Sequence, residues 1–242
     1  MLARKTHAPN CIFWGGLLAG FNPSPPFLPP TSGDSVMMEK ASPVLHLSQI
    51  FDLVMRGELD RVFFSGAQID QFGNLNNSYI GSLEKIRVKL PGGAGASHIG
   101  CLAKNFTIWS VRHEAKTGGK GKKVYTFVEK VDFVTTVGQK ANGRTRKELG
   151  LKGGGPDRVI TNLGVFDFDP ESKMMRLHTV HPGVTVQDIL KNTGFAPVIQ
   201  DRVSPTQPPT AEEIAIIRTI DPLNTRKLGF SSEALAKRYE IQ

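Results

Sequence analysis

Cysteine is scarce in this chain of 242 residues, which contains only Cys11 and Cys101. The pair fits neither a disulfide framework nor a zinc-binding pattern, so a disulfide-stapled secreted domain and a zinc module are excluded. We expect both cysteines to be buried as small apolar residues. Because cysteines used in this way are typical of a reducing compartment, the sequence predicts a cytoplasmic protein.

Long apolar runs are also missing. The most apolar stretch, Cys11–Phe21, contains three glycines and leads into a proline-rich loop. A membrane-spanning helix needs about 20 apolar residues, so we expect no membrane association. The basic residues Arg4 and Lys5 before this stretch imitate a signal peptide, but no small-x-small cleavage site follows. A strand that ends in a glycine turn is the better interpretation.

A basic helix face with interleaved aromatic residues is missing too, although the net charge is +8. Proteins that bind nucleic acids in a groove or as single strands carry such a face, so we expect no nucleic-acid partner. Many of the lysines and arginines fall in two segments, residues 116–123 and 140–152. They are predicted to be solvated loops, and the alternative is attraction of an anionic ligand or an acidic partner.

What the sequence does contain is a mixture of short apolar strands and a few amphipathic helices, which indicates an α/β fold with an attached antiparallel meander. The predicted strands are Cys11–Gly16, Arg61–Ser65, part of Ser78–Arg87, Phe106–Val111, Val124–Val128 and Val131–Thr136, followed by the meander Arg158–Leu163, Gly164–Asp169 and Met174–Val180. The predicted helices are Leu47–Arg56, Gly95–Lys104, Val186–Asn192 and Ala211–Thr219. Thr185 and Thr210 are the expected N-caps of the last two, with Glu213 completing a capping box.

Residues 62–101 are the most informative part of the chain. They begin with the apolar run Val-Phe-Phe at 62–64, which is typical of a strand covered on both faces. Polar residues gather where this strand ends, and open α/β sheets bind ligands at the carboxyl ends of their strands. These residues are Gln68, Asp70, Gly73, Asn74 and Asn76. The glycine-rich turn 91–95 follows a second strand and allows a ligand to approach its backbone amides. Together the two turns predict a binding site.

The same stretch resembles the second, or beta, subunit of family I coenzyme A transferases, particularly the glutaconate type, with its GAQID-x-x-GN-x-N and GGA-x-G motifs. The resemblance extends over residues 3–225. Further segments that carry it are Thr6–Asn10, His113-Glu114, Phe127–Thr135, Asn162–Phe168, and His181–Thr185 through Thr193–Phe195. It implies the coenzyme A transferase fold, an open, mostly parallel sheet flanked by helices. It also implies an alpha-subunit partner and an acyl-CoA substrate, with coenzyme A arriving as part of that substrate rather than as a bound cofactor.

One residue that the resemblance requires is absent. Family I transferases act through a covalent glutamyl thioester, which needs a carboxylate after the APD segment. Counting forward from Asn10, that position falls on Gly16, and the first acid of the chain is Asp34. The C-terminal third is similar to the beta subunit of an actinobacterial hydrolase that opens a steroid ring, which also carries glycine there. A related decarboxylase has cysteine at that position, but Cys11 lies five residues too early to match it.

The candidate site residues follow from the motifs and the resemblance. The resemblance implies that Gly92, Gly93 and Gly95 form the turn that faces the thioester oxygen, and a plain tight turn is the alternative. Candidates for facing the substrate are Gln68, Asn76, His113 and Glu114. A structural histidine is the favoured reading of His113, and an Asx-type turn that of Asp70 and Asn74. His178 and His181 are also read as structural, and no histidines have metal-ligand spacing, so no metal is predicted.

We therefore expect residues 1–242 to form a single beta-subunit domain, and the resemblance implies that the family's first strand and helix are missing. The favoured function is C–C bond hydrolysis that opens the ring of a cyclic ketone CoA ester in steroid catabolism. The alternative is coenzyme A transfer of the glutaconate or 3-oxoacid type, and the third hypothesis is a non-catalytic subunit that is structural or binds coenzyme A. Seven apolar side chains near the N-terminus show no regular pattern and suit either a partner's surface or the internal core. They are Phe13, Trp14, Leu17, Leu18, Phe21, Phe27 and Leu28.

Overall fold

The computed structural model describes residues 1–14 and 20–227. The chain divides into two compact units, residues 1–53 with those from 207 onward, and residues 54–206, called the second unit below. The α-helices of the described part are α1 (Leu2–Lys5), α2 (Leu47–Met55), α3 (Ala96–Leu102), α4 (Val186–Asn192) and α5 (Ala211–Ile220). Short 3-10 helices cover Ser35–Met38, Gly119–Gly121 and Thr225–Lys227. The expectation of a single domain stays a prediction.

The strands are short and belong to the second unit. They are β1 (Arg61–Phe64), β2 (Gln68–Asp70), β3 (Leu75–Asn76), β4 (Tyr79–Gly81), β5 (Ile86–Lys89), β6 (Asn105–Ser110), β7 (Lys116–Thr117), β8 (Lys123–Val124), β9 (Phe127–Val128), β10 (Lys140–Ala141), β11 (Arg144–Thr145), β12 (Pro156–Thr161), β13 (Gly164–Phe168), β14 (Met175–Val180) and β15 (Val198–Pro205).

Six of these strands form the central sheet, in the order β1-β6-β12-β13-β14-β15. The pairs β1 with β6, β6 with β12, and β14 with β15 are parallel, whereas β13 is antiparallel to both of its neighbours. The prediction of a mostly parallel sheet with an antiparallel meander is therefore confirmed. A small sheet, β3-β2-β9, and three hairpins, β4-β5, β7-β8 and β10-β11, complete the second unit.

One face of the central sheet forms the core of the second unit. Phe106, Ile108, Val159, Phe166 and Leu177 are completely buried there and pack with residues of β2, β3, β9 and α4. Each of these side chains removes from water an apolar area that is worth about 1.5–3 kcal/mol.

The expectation that residues 62–64 are covered on both faces is wrong. Phe63 is 61% exposed, because side chains alternate along a strand and it lies on the face of β1 opposite to Val62 and Phe64, which pack against the core. Trp109 and Ile160, which are partners in the β6–β12 register, are also exposed.

Local capping signals predict the helix starts correctly. The Thr185 hydroxyl accepts from the Asp188 amide, and the Asp188 carboxylate accepts from the Thr185 amide, so α4 begins with a capping box. Thr210 and Glu213 form the same arrangement at α5. Such a cap stabilises a helix by about 1 kcal/mol.

Three other predictions fail. Val131–Thr136 is not a strand. The amides of Thr135 and Thr136 both donate to the carbonyl of Leu75 in β3, and Thr136 forms only an isolated bridge with Leu75. Cys11 is exposed rather than buried, and Cys101 is partly exposed. Residues 11–13 of the predicted strand Cys11–Gly16 have no regular structure, and its last two residues lie outside the described part.

The N-terminal apolar residues fit neither expectation cleanly. Phe13, Trp14, Phe21, Phe27 and Leu28 are all partly exposed, and the rings of Trp14 and Phe21 lie 5.7 Å apart. Leu17 and Leu18 lie outside the described residues.

Candidate functional site

Asp70 and Asn74 hold the polar turn between β2 and β3. Oδ1 of Asp70 accepts from the amides of Phe72 and Asn74, both at 3.0 Å, and from the Asn74 side chain. Burial raises the pKa of the Asp70 carboxyl, although these hydrogen bonds oppose the effect. Asn74 also bonds to the carbonyl of Lys140 and to the amide of Gly138. The pair therefore has the structural role that its sequence predicts.

Gln68 and Asn76 are brought together by the pairing of β2 with β3. The Asn76 side-chain amide donates to Oε1 of Gln68 and to the Tyr79 carbonyl, both at 2.7 Å, and its oxygen accepts from the Ser78 amide. Oε1 of Gln68 also accepts from the amide of Asp132. Asn76 has no exposed surface and so cannot touch a ligand in this conformation. We assign it a structural role, and Gln68, which is partly exposed, stays a predicted substrate-facing residue.

The glycine turn, residues 91–95, runs directly into α3. Gly92 adopts a positive φ of 98°, a conformation that suits glycine, and its amide donates to the Asn77 carbonyl at 2.7 Å. The carbonyls of Gly93 and Gly95 accept from Ala96 and Ile99 and start the helix. Among the described residues, none accepts a hydrogen bond from the amides of Gly93 or Gly95. Those two amides are therefore not engaged within the described part of the chain, whereas that of Gly92 is.

The glycine turn is connected to residues 68–78, called the polar segment below, through hydrogen bonds of residues 77, 78 and 135. Asn77 accepts from Gly92 and donates its own amide to Oγ1 of Thr135 at 2.9 Å. The hydroxyls of Ser78 and Thr135 are hydrogen-bonded at 2.8 Å. Sequence reasoning missed Thr135, which it placed in a strand. The only signal was that Thr135 ends one of the segments that carry the family resemblance.

His113 lies in the core rather than at the glycine turn. Its ring nitrogens are hydrogen-bonded to Thr161 at 3.0 Å and to Thr193 at 2.9 Å, and its ring centre lies 4.2 Å from that of Phe127. Burial lowers the pKa of His113 to about 3, so the ring is neutral at pH 7. His113 has no exposed surface, and we assign it the structural role. Its neighbour Glu114 is partly exposed and stays a predicted substrate-facing residue.

His181 is also held internally, by the Thr206 hydroxyl and the Thr161 carbonyl, as its structural reading predicts. His178 lies 3.7 Å from the Asp167 carboxylate. Over residues 1–14 and 20–227, no group of three or more His, Cys, Asp or Glu side chains is arranged to hold a metal ion. In the same part of the chain, no helix is long and apolar enough to cross a membrane. The family's nucleophile position, Gly16, lies outside the described residues.

Comparison with known proteins gives consistent matches over nearly the whole chain. Residues 2–192 match the coenzyme A transferase family. The B subunit of 3-oxoadipate CoA-transferase from Pseudomonas knackmussii is 34% identical over 223 residues, which are 91% of this chain and 81% of that protein. The B subunit of glutaconate CoA-transferase from Acidaminococcus fermentans is 30% identical over 229 residues, with the same coverage. The cholesterol ring-cleaving hydrolase IpdB subunit of Mycobacterium tuberculosis is 29% identical over 229 residues, covering 93% of this chain and 83% of that one.

Solved structures give the same result. The decarboxylase AibA/AibB superimposes with a TM-score of 0.78 at 29% identity, covering 96% of this chain and 85% of that one. Glutaconate coenzyme A-transferase from Acidaminococcus fermentans superimposes with a TM-score of 0.77 at 28% identity, with the same coverage. A transferase, a hydrolase and a decarboxylase are thus all among the similar proteins, so the likeness alone does not select one reaction.

Proposed function

Because the chain belongs to the coenzyme A transferase family, we propose that it is the beta subunit of a two-subunit enzyme that acts on an acyl-CoA thioester. The matches to B subunits over more than 90% of the chain support this proposal. The favoured reaction is hydrolysis of a C–C bond that opens a ring in a cyclic ketone CoA ester. The observation that carries this choice is the absence of any Asp or Glu before Asp34.

The chemistry explains why this absence matters. Coenzyme A transfer through an acyl-enzyme requires a carboxylate nucleophile at the end of the strand after residue 10, and this segment offers none. Ring opening needs no covalent carboxylate from this chain. Water adds to the ring ketone, the adjacent C–C bond breaks, and its electron pair passes to the carbon next to the thioester, which then takes a proton. In our proposal the alpha subunit supplies the acid–base group.

The glycine turn has the same task in either reaction, because both place negative charge on the thioester oxygen. In transfer the oxygen belongs to a tetrahedral intermediate, and in ring opening it belongs to an enolate. The amides of Gly93 and Gly95 are the donors that we propose for it. One such donor is worth about 3 kcal/mol of transition-state stabilisation.

Coenzyme A transfer is the second candidate, and one observation favours it. The 3-oxoadipate transferase subunit is 34% identical, against 29% for the hydrolase subunit, over nearly the same span. This reaction would need a carboxylate from another part of the chain or from the partner.

Incubating the coexpressed complex with a cyclic ketone CoA ester or with an acyclic acyl-CoA, each with and without an acceptor acid, separates these functions. Ring hydrolysis is expected to add one water to the cyclic substrate, with no need of acceptor. A new acyl-CoA formed only in the presence of acceptor would identify a transferase.

The isolated chain is expected to self-associate and to be inactive. If the alpha subunit alone turns over substrate as fast as the complex does, this chain is non-catalytic. If this chain is active as a monomer, the two-subunit proposal is contradicted.

The β4–β5 hairpin is the part of the second unit that we propose the alpha subunit covers. All residues from Ser82 to Lys89 are exposed, including the apolar Leu83, Ile86 and Val88 at 71%, 45% and 50%. An isolated two-stranded hairpin is marginally stable in water, so exposure of both its faces favours a partner. The hairpin also leads directly into the glycine turn, so a subunit that covers it would lie beside the proposed site.

Replacing Ile86 and Val88 together with serine is expected to lower copurification of the alpha subunit about tenfold or more, because each loses an apolar contact worth about 1 kcal/mol. The matched control replaces Arg87 and Lys89, which alternate with Ile86 and Val88 along β5, with serine as well. It is expected to change copurification of the alpha subunit by less than about threefold. Thermal unfolding of the free chains checks that both variants fold. Equal losses in the two variants would move the interface elsewhere.

A further inference from the structure

Thr135 contacts both parts of the proposed site through two different groups. Its Oγ1 atom accepts from the Asn77 amide at 2.9 Å and is hydrogen-bonded to the Ser78 hydroxyl. Its backbone amide donates to the Leu75 carbonyl at 2.8 Å. These three contacts fix Thr135 against β3 and the two residues that follow it.

The methyl group of Thr135 faces the glycine turn. A Cβ atom added to Gly93 would lie only 2.3 Å from Cγ2 of Thr135, a separation that real Cβ atoms do not reach. The Gly93 backbone therefore rests directly on this methyl group. Asn77 connects the two from the other side, because it accepts from Gly92 and donates to Thr135.

We infer that Thr135 is a positioning residue, whose hydroxyl anchors it to the polar segment while its methyl group sets the position of the glycine turn. This inference rests on the proposed function, in which the amides of Gly93 and Gly95 face the thioester oxygen. A donor misplaced by a fraction of an ångström loses much of its effect on the transition state, so a group that fixes the turn affects turnover without touching substrate.

The two groups of Thr135 can be removed separately. Thr135→Ser keeps the hydroxyl and removes the methyl group, and Thr135→Val keeps the methyl group and removes the hydroxyl. Gly93→Ala adds the atom that collides with the methyl group. The double variant Gly93→Ala/Thr135→Ser removes the collision while the oxygen keeps its hydrogen bonds.

The chain contains a second close contact between a glycine and a threonine methyl group. A Cβ atom on Gly100 would lie 2.4 Å from Cγ2 of Thr136, the next threonine, in the middle of α3 rather than at the turn. Gly100→Ala with Thr136→Ser therefore reproduces the collision and its relief at a position that the proposed site does not use. It is the matched control for stability and for turnover.

The test is a double-mutant cycle at each pair, with the urea midpoint, kcat and KM of the complex as readouts. We expect Thr135→Ser and Gly93→Ala each to lower kcat at least about tenfold, with KM changed less than about threefold, and the double variant to recover most of the loss. Thr135→Val is expected to lower kcat similarly, because the anchor is lost. The Gly100/Thr136 pair should show the same recovery in urea midpoint and an unchanged kcat.

A second readout does not depend on activity. The Gly92 amide, which the Asn77 carbonyl holds, is expected to exchange its hydrogen at least about tenfold faster in Thr135→Ser than in the wild type or in Thr136→Ser. Faster exchange in a complex without any activity would keep Thr135 as the positioning residue of the turn and refute the proposed function instead. Two results would overturn the positioning role. One is an unchanged exchange rate of the Gly92 amide in Thr135→Ser. The other is a Gly93/Thr135 pair that couples in the urea midpoint but leaves kcat unchanged, as the control pair does.

Discussion

Replacing Arg146 with methionine is expected to lower the free energy of unfolding by about 4 kcal/mol. Arg146 is only 6% exposed, and burial lowers the pKa of its guanidinium. The guanidinium donates to the carbonyls of Gly153 at 2.8 Å, of Val137 at 2.8 Å, of Gly138 at 3.2 Å and of Gly100 at 2.7 Å. Methionine fills much of the volume but leaves these carbonyls without donors, at a cost of about 1–3 kcal/mol for each that stays buried.

The same chain offers a close control in Arg144, an exposed arginine two residues earlier in β11. Arg144→Met is expected to change the free energy of unfolding, measured by urea titration, by less than about 0.5 kcal/mol. Arg146→Lys keeps the charge but brings only one nitrogen, so it should recover less than half of the loss. A loss below about 1 kcal/mol in Arg146→Met would show that water replaces the guanidinium and that these hydrogen bonds are dispensable.

Acidification from pH 7 to pH 5 is expected to remove about 2 kcal/mol of stability through His113 alone. The pKa of His113 is lowered by burial to about 3 in the folded chain, against about 6.5 when unfolded. Between these values the unfolded chain binds a proton that the folded chain rejects. The contribution is therefore fully present above pH 6.5 and is lost as the pH falls toward 3.

A comparison of wild type with His113→Gln isolates this effect, because all other titrating groups cancel in the difference. The variant should be less stable at pH 7, since it leaves the Phe127 and Phe166 rings without their partner, and the gap should shrink by about 2 kcal/mol at pH 5. A gap that does not change with pH would contradict a buried neutral imidazole.

Local signals predicted the elements that depend on local contacts. Thr185 and Thr210 mark helix starts because their hydroxyls bond to amides three residues away, within the same segment. Val131–Thr136 has the composition of a strand, but its backbone bonds are set by distant residues such as Leu75. The strand β15 was missed for the converse reason, since Val198–Pro205 is polar and mostly exposed and becomes a strand only by pairing with β14.

The site shows the same division. The glycine turn could be predicted because its missing side chains are visible in the sequence. The burial of Asn76 and His113 could not, because a polar side chain that binds a ligand and one that satisfies the interior look alike in sequence. Asn76 is hydrogen-bonded to Gln68 and Tyr79, and His113 is hydrogen-bonded to Thr161 and Thr193. The position of Thr135 against Gly93 depends on tertiary contact alone.

The connections of the central sheet have a consequence for how the chain folds while it is being synthesised. The strand β6 lies between β1, which precedes it, and β12, which the ribosome delivers more than forty residues later. Until β12 emerges, Phe106 and Ile108 lack the side chains of β12, β13 and β14 that enclose them in the finished protein. A nascent chain that stops before residue 156 therefore holds the core side chains of β6 without most of the core that encloses them, which is the situation that recruits chaperones.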